Sequence, residues 1–196
     1  DSAGGYLSQM TGVTNGEKQF DKGDWLNVSS DVQAAVTIYG LSDLTTIGEG
    51  FGPEIDKVHE SPASTEALLV NGPAFRTYPG ASIMADRKAA LAASPLGHVD
   101  GSEPPFLILH GAQDPLVSPT QSAKLFRALK AKNVDAEYVL VRSRGLGDVY
   151  KRQAQCFKAA SAVYEESRTS AGNTAGEFSK WGCDIGITPP ICLLRG

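Results

Sequence analysis

Apolar runs and polar stretches alternate along the first 141 residues in the way expected of alternating strands and helices. Short apolar or β-branched runs predict buried strands at 34–39, 106–110 and 136–141, and a glycine closes each of the first two runs. Between the second and third strands, apolar positions at helical spacing predict a helix over 118–132, with a proline at its first turn. Strand, helix and strand joined by short loops indicate a parallel sheet flanked by helices, so the predicted fold class is α/β.

The other stretches predict one more helix and two long connections. Residues 3–13 are small and amphipathic, as expected for a helix. Residues 17–31 are polar and rich in turn formers, which is typical of a surface loop. Residues 45–88 are punctuated by glycine and proline around one helical piece at 65–70. Because this last segment is too long for a simple crossover, we interpret it as an insertion that caps an active site.

Composition excludes several classes of protein. At 196 residues with 41% hydrophobic residues, the chain is long enough for one domain with a sizeable core. Its 18 lysines and arginines are scattered among 22 acidic residues, so nothing indicates a nucleic-acid partner. No apolar run reaches the length of a membrane span. Localisation and oligomeric state stay open.

The cysteines and histidines form no metal-ligand pattern. Cys156, Cys183 and Cys192 all lie beyond residue 150, whereas every histidine lies before residue 111. We therefore expect no metal site. A Cys183–Cys192 disulfide is allowed by the sequence but is not the favoured interpretation.

The first five residues carry the most specific chemical signal. Asp1-Ser2-Ala3-Gly4-Gly5 matches the end of a Gly-x-Ser-x-Gly nucleophile elbow, in which small residues permit a tight, strained turn around the serine. In that interpretation Ser2 is the nucleophile and the Ala3 N–H is one oxyanion-hole donor. The alternative is that Ser2 is an ordinary helix N-cap. Since the motif starts at its second position, we expect the preceding glycine and the strand before it to be missing.

Four phrases in order resemble one family. They are DSAGGYL at 1–7, YGLSDL at 39–44, SPLGHV at 94–99 and PPFLILHGAQDPLV at 104–117. Together they resemble the carboxylesterase branch of the α/β-hydrolases, specifically the bifunctional feruloyl and acetyl-xylan esterase-like (BD-FAE-like) group. The resemblance covers about residues 1–141. It implies the C-terminal part of an α/β-hydrolase catalytic domain, truncated before the nucleophile strand, with the cap-like insertion at about 45–88.

The resemblance also implies a mechanism. The order of the catalytic residues is Ser, Asp, His, so Ser2 matches the nucleophile and Asp114 the acid that orients the histidine. An Asx turn beside Pro115 is the alternative for Asp114, and Asp43 is a second candidate acid. The implied activity is hydrolysis of a small-molecule or carbohydrate-linked carboxylic ester through an acyl-enzyme, with no cofactor. Plant cell-wall acetyl or feruloyl esters, and a secreted or periplasmic location, fit the family.

The match fails where the catalytic histidine is expected. That residue should follow the strand ending near Val141, but no histidine occurs after His110. We expect His98 and His110 to be structural and His59 to be a solvated loop residue. A serine is a poor nucleophile without a base to take its proton, so this chain is expected to be inactive.

The sequence after the third strand is itself unusual. Residues 148–153, DVYKRQ, resemble one reading frame of a transposon-end adapter used in sequencing libraries. We therefore interpret 142–153 as an adapter-derived junction, with a natural basic loop as the alternative. Residues 154–196 are then an unassigned tail that need not belong to the protein, with one helix candidate at 154–167.

Two other functions remain open at this point. A serine peptidase of the prolyl-oligopeptidase type shares the sheet and the order of catalytic residues. A hydrolase-like binding module that naturally lost its base would show the same residues without activity. An upstream propeller domain would indicate the peptidase. An uninterrupted genomic reading frame between Val141 and Ala154 would indicate that the catalytic base was lost naturally.

Overall fold

The computed structural model describes residues 1–141 and a strand at 191–194. In chain order the elements are α1 Ser2–Val13, β1 Ala35–Ile38, α2 Pro53–His59, α3 Thr65–Asn71, α4 Arg87–Ala92, β2 Phe106–Gly111, α5 Pro119–Ala131, β3 Ala136–Val141 and β4 Ile191–Leu194. Short 3₁₀ turns lie at 18–20, 44–46, 83–86 and 95–97. None of the described helices is both long enough and apolar enough to cross a membrane.

The strands form one sheet in the order β1-β2-β3-β4. The first three are parallel, with Ile38 beside Leu109 and Leu109 beside Val139, whereas β4 is antiparallel to β3. Every residue of β2 is buried, as expected for a central parallel strand covered on both faces. The predicted α/β fold class with a parallel sheet is confirmed.

The segment 45–88, predicted to be an insertion, contains more helix than the sequence pattern predicts. The predicted helical piece at 65–70 is α3, α2 also lies within the segment, and α4 begins at its end. None of the residues of α2 is buried, and its two apolar residues one turn apart, Ile55 and Val58, are exposed; a seven-residue helix with two apolar positions is too short for a periodicity search. The interpretation of His59 as a solvated loop residue is wrong, because His59 ends α2 and its Nδ1 lies 2.8 Å from Glu66 Oε1.

Several sequence predictions concern residues that follow β3. The junction at 142–153, the helix candidate at 154–167 and the cysteines Cys156 and Cys183 lie outside the described residues. For Cys192 only the backbone of β4 is described. These predictions therefore remain predictions.

Two apolar layers cover the sheet, and a third cluster lies under the insertion. One layer packs α1 and α5 on the sheet and comprises Val13, Ala35, Phe106, Ile108, Leu125, Phe126, Leu129, Val134 and Tyr138. The opposite face holds Ile38, Tyr39, Leu107 and Leu109. The third cluster comprises Leu44, Ile47, Ala67, Ile83 and Ala90, with Tyr6 of α1 packed against it. Tyr6 therefore joins the insertion to α1.

Glycines allow α1 to lie directly against the end of β1. A Cβ atom on Gly5 would lie 2.8 Å from the Ile38 carbonyl oxygen and 3.0 Å from Gly40 Cα. A Cβ atom on Gly40 would lie 2.7 Å from the carbonyl carbon of Gly5. Real Cβ atoms essentially never approach backbone this closely, so both positions need glycine for steric reasons. Gly12 meets Ala35 at the other end of β1, so α1 runs antiparallel to the strand.

A buried polar network fixes this crossing. Gln9 Nε2 donates to Thr37 Oγ1 at 2.9 Å, and the Thr37 hydroxyl donates to the Gly5 carbonyl at 3.1 Å. The Ser42 hydroxyl donates to Gln9 Oε1, while Gln121 Oε1 accepts from the backbone N–H groups of Ser42 and Asp43. The side chains of Gln9, Thr37, Ser42 and Gln121 are fully buried. Each polar group is satisfied, so the network joins α1, β1, the loop after β1 and α5 without an unpaired buried atom.

The contact between Gly5 and β1 gives a testable pair of substitutions. Gly5→Ala should lower the free energy of unfolding by about 1–3 kcal/mol, because the new methyl group overlaps backbone atoms of β1. Gly4→Ala is the matched control, since no atom lies within 4 Å of its added Cβ. It should be neutral or raise the free energy by up to about 1 kcal/mol through helix propensity. Urea denaturation of both variants measures the difference. Equal effects would contradict the described crossing.

Candidate active site

The candidate site lies at the carboxyl edge of the parallel strands. The antiparallel course of α1 brings its N-terminus to the end of β1, where Tyr39 follows the strand. The loop that carries Asp114 leaves β2 at the same edge. Ligand sites in open α/β sheets form outside the carboxyl ends of the strands, so this is the expected place for chemistry.

Ser2 has a strained backbone. It is the first residue of α1, is exposed and has a φ of +47°, in the left-handed region that a residue with a side chain rarely adopts. The N-cap is Asp1 rather than Ser2, and the Asp1 side chain makes no capping hydrogen bond. The structure therefore does not place Ser2 at the N-cap position that the alternative interpretation required.

Ala3 lies at the unpaired end of α1. The first helical hydrogen bond runs from the Gly5 N–H to the Asp1 carbonyl at 2.8 Å, so the N–H groups of residues 2–4 precede the helical ladder. Such amides carry the partial positive charge of a helix N-terminus and suit an anion. Chemically, the Ala3 N–H can donate to a negatively charged oxygen beside Ser2.

Tyr39 links the serine turn to the loop after β2, and the sequence did not single it out. It has a φ of +40° and its hydroxyl donates to Asp1 Oδ2 at 3.1 Å. Its ring packs edge-on against His110, with ring centroids 6.5 Å apart. Its sequence signals were its place at the end of the predicted strand 34–39, before Gly40, and at the start of the YGLSDL phrase. Tyr39 thus brings the Ser2 turn and the Asp114 loop together through Asp1 and His110.

Asp114 divides its two oxygens between different tasks. Oδ1 accepts hydrogen bonds from the N–H groups of Leu116 and Val117, both at 2.9 Å, so the Asx-type turn is present. Oδ2 lies 3.9 Å from His110 Nε2, and within residues 1–141 no group donates a hydrogen bond to it. One oxygen holds the loop while the other can accept from an imidazole.

Both carboxylate oxygens of Asp43 already accept hydrogen bonds. Oδ1 accepts from the N–H and hydroxyl of Thr45, and Oδ2 accepts from the Thr46 hydroxyl and faces Lys124 at 3.5 Å. Burial raises the pKa of Asp43, but the hydrogen bonds from the threonines, with a smaller effect of Lys124, outweigh it and hold the pKa below 3.8. Its carboxylate therefore stabilises the turn after β1 and is committed to that role.

All three histidines are engaged elsewhere. His110 Nε2–H donates to the Val117 carbonyl at 2.8 Å, and the Ser122 hydroxyl donates to His110 Nδ1 at 2.7 Å. His98 lies 2.8 Å from Glu17 Oε1 and 2.7 Å from the Ala92 carbonyl, and His59 pairs with Glu66 in the insertion. In these contacts the three imidazoles hold neighbouring segments of the chain together. In the described part of the chain, no group of three or more metal-ligating side chains converges.

Comparison with known proteins adds a family match. The BD-FAE family model matches residues 1–129. LipM of Mycobacterium tuberculosis, described as a probable carboxylic ester hydrolase, is 34% identical over 125 residues, which are 64% of this chain and 25% of LipM. Dipeptidyl aminopeptidase BIII of Pseudoxanthomonas mexicana is 35% identical over 68 residues, covering 35% of this chain and 10% of that protein. The chain thus spans about a quarter or less of these relatives.

Solved structures match over more of the chain. A truncated form of a carbohydrate esterase from gut microbiota superposes with a TM-score of 0.66 at 27% sequence identity. The match covers 86% of this chain and 57% of that structure. The described sheet and helices therefore have the α/β-hydrolase fold of an esterase group.

The buried imidazole gives a prediction about pH. Burial lowers the pKa of His110 below 6.5, and this effect outweighs the opposite effects of the Val117 carbonyl and Asp114. The unfolded chain takes up this proton near 6.5 and the folded chain does so only at lower pH. The stability contributed by neutral His110 is therefore complete above pH 6.5 and is lost as the pH falls towards the folded pKa.

An NMR titration of the three imidazoles tests this directly. We expect the His110 signals to stay at the neutral position when the pH falls through 6.5, with His59→Gln and His98→Gln used to assign the spectra. Half-protonation of His110 at or above pH 6.5 would contradict the described burial and hydrogen bonds.

Proposed function

The chain belongs to the BD-FAE family, and we propose that it forms the C-terminal part of the catalytic domain of a serine carboxylic-ester hydrolase. In this proposal Ser2 attacks the ester carbonyl and the Ala3 N–H stabilises the developing oxyanion. Asp114 orients the histidine that takes the serine proton. The observation that carries the proposal is the left-handed backbone of Ser2 at the first residue of α1.

The strained serine supports the nucleophile assignment on physical grounds. A nucleophile elbow exposes the serine Oγ at the top of the sheet by a sharp strand-to-helix turn. Strain of this kind costs about 1–3 kcal/mol and persists only where the surrounding structure imposes it. Here the close contact of Gly5 with the end of β1 supplies that constraint. An oxyanion-hole donor such as the Ala3 N–H typically contributes roughly 3–4 kcal/mol to transition-state stabilisation.

The open oxygen of Asp114 supports its assignment as the acid. An acid in a triad accepts from the imidazole Nδ1–H and stabilises the imidazolium that forms during proton transfer. Oδ1 is held by two backbone N–H groups, which fixes the carboxylate so that Oδ2 is presented in one orientation. Asp43 lacks such an oxygen, because four donors surround it.

None of the three histidines of this chain can serve as the catalytic base in this proposal. His59, His98 and His110 are each bound to other partners, and the sequence has no later histidine. We therefore propose that the chain alone does not hydrolyse esters, and that a longer protein containing these residues together with a histidine does.

The ester acted on is proposed to be a small-molecule or carbohydrate-linked ester. The 27% identical structural neighbour is named as a carbohydrate esterase, which supports a carbohydrate alcohol. A prolyl-oligopeptidase-type peptidase is the second enzyme candidate, supported by the short aminopeptidase match. The family model over residues 1–129 favours the esterase. A non-catalytic module remains the outcome if Ser2 proves unreactive in the longer protein.

The experiment compares the longer protein with this chain, using p-nitrophenyl acetate. We expect the longer protein to hydrolyse the ester and its Ser2→Ala variant to lose at least about 10³-fold in kcat, because the nucleophile is gone. The 196-residue chain should release no burst of p-nitrophenol, because no imidazole is available to activate Ser2.

Ser29→Ala serves as the matched control, because Ser29 is another exposed serine and lies in the loop after α1. Its activity should equal that of the unaltered protein. Full activity of the Ser2→Ala variant would reject the nucleophile assignment, and a stoichiometric burst from the isolated chain would reject its inactivity.

A further inference from the structure

Tyr39 binds the carboxylate of Asp1, the residue that precedes Ser2. The Tyr39 hydroxyl donates to Asp1 Oδ2 at 3.1 Å. Asp1 is the N-cap residue of α1, yet its side chain makes no capping hydrogen bond. Aspartate is among the strongest N-cap residues, and in that position its carboxylate ordinarily accepts from the N–H of the second or third helical residue. In α1 those residues are Ala3 and Gly4, so the carboxylate is turned away from the amides that it is placed to cap.

The N-cap aspartate of α4 shows the ordinary behaviour in the same chain. Asp86 precedes the first residue of α4, and its Oδ1 accepts from the Ala89 N–H at 2.9 Å. Asp1 stands at the equivalent position of α1, but its side chain accepts from the Tyr39 hydroxyl instead. The difference between the two aspartates therefore lies in the phenol that is available to one of them.

The phenol has a fixed position because β2 holds both its backbone and its ring. The Tyr39 N–H donates to the Leu109 carbonyl at 2.8 Å, and the ring packs edge-on against His110. The side chain is buried in the cluster on that face of the sheet. The φ of +40° is costly for a tyrosine and persists only where the surrounding structure imposes it. The hydroxyl thus reaches Asp1 from a rigid support.

The position of the Asp1 carboxylate decides whether the N-terminus of α1 can bind another anion. The N–H groups of residues 2–4 precede the helical ladder and suit a negatively charged oxygen. A carboxylate that capped the helix would occupy the Ala3 or Gly4 N–H and place a negative charge beside the oxyanion. A transition state loses stabilisation when such a donor is lost. With the carboxylate on Tyr39, the donors stay available.

We propose that Tyr39 is a positioning residue that keeps the Asp1 carboxylate off the N–H groups at the start of α1, so that these groups can bind the oxyanion of the reaction. The inference rests on the proposed esterase function for its catalytic consequence. The place of the carboxylate is a property of the 196-residue chain and can be measured without any reaction, so the two proposals can fail separately.

The first test is an NMR titration of the Ala3 and Gly4 amides in the 196-residue chain. Tyr39→Phe keeps the packed ring and removes the donor, so the carboxylate is expected to cap α1. One of the two amide protons should then move downfield at neutral pH and return as the pH falls and the carboxylate takes up a proton. The unaltered chain and the Tyr39→Phe, Asp1→Ala double variant should not show this movement.

The second test is the kcat of the longer protein with p-nitrophenyl acetate. Tyr39→Phe should lower kcat and kcat/KM equally, by at least about tenfold, because an oxyanion donor acts in the transition state. The Tyr39→Phe, Asp1→Ala double variant should recover most of the lost kcat, since no carboxylate remains to occupy the amides. A merely structural role of Tyr39 predicts no such rescue.

Tyr138→Phe is the matched control for both tests. Tyr138 is also buried, and its hydroxyl donates to the Pro119 carbonyl at 3.4 Å rather than to a residue of the serine turn. Its amide spectrum at residues 3 and 4 and its kcat should equal those of the unaltered protein.

Two outcomes would overturn the inference. One is that the Ala3 and Gly4 amides of Tyr39→Phe behave as in the unaltered chain, because the carboxylate then does not turn to α1. The other is a loss of kcat that Asp1→Ala does not restore. If the longer protein does not hydrolyse the ester at all, the proposed function fails, and the amide titration alone decides where the carboxylate lies.

Discussion

The candidate site depends on the direct contact between the backbones of α1 and β1. Gly5 and Gly40 meet without side chains between them, with Gly5 against the Ile38 carbonyl. This contact fixes where α1 begins relative to the sheet, and so where the strained Ser2 backbone lies. The Gln9–Thr37–Gly5 hydrogen bonds hold the helix in that position from within the core. Without this contact the N-terminus of α1 would have no fixed relation to the strand ends.

The same contact organises the surrounding elements. Ser42 and Asp43 leave β1 just beyond Gly40, and Gln121 of α5 accepts from both of their N–H groups. The insertion joins α1 through Tyr6. The Ser2 turn, the Asp114 loop and the insertion therefore meet at one edge of the sheet, although more than a hundred residues separate Ser2 from Asp114. Under the proposed function, this edge presents Ser2 as the nucleophile and Asp114 as the acid to a substrate held between them.

Much of the fold followed from the sequence, but the detailed contacts did not. Strands β1–β3 and helix α5 have clear apolar patterns, and local pattern was sufficient to predict them and the small, amphipathic α1, whereas β4 was not predicted. Helix α2 is only seven residues long and its two apolar side chains, Ile55 and Val58, are exposed, so its pattern was too short to predict it. Tyr39 and the Gln9 network were also missed, because their importance comes from long-range partners that a single sequence does not reveal. Ser2 and Asp114 were proposed from motif resemblance, whereas coordinates were required to see that one Asp114 oxygen, unlike those of Asp43, accepts no hydrogen bond within residues 1–141.

The central claim is that this edge of the sheet pairs Ser2 with Asp114, and comparing Asp114→Asn with Asp43→Asn in the longer protein tests it most directly. The amide oxygen introduced by Asp114→Asn can still accept the two backbone hydrogen bonds, so we predict near-normal stability with kcat lowered about 10⁴-fold. Asp43→Asn should lower the free energy of unfolding, because it loses the charge facing Lys124, while kcat of the folded enzyme is retained. The reverse pattern, with activity lost through Asp43 and retained without the Asp114 carboxylate, would contradict the account.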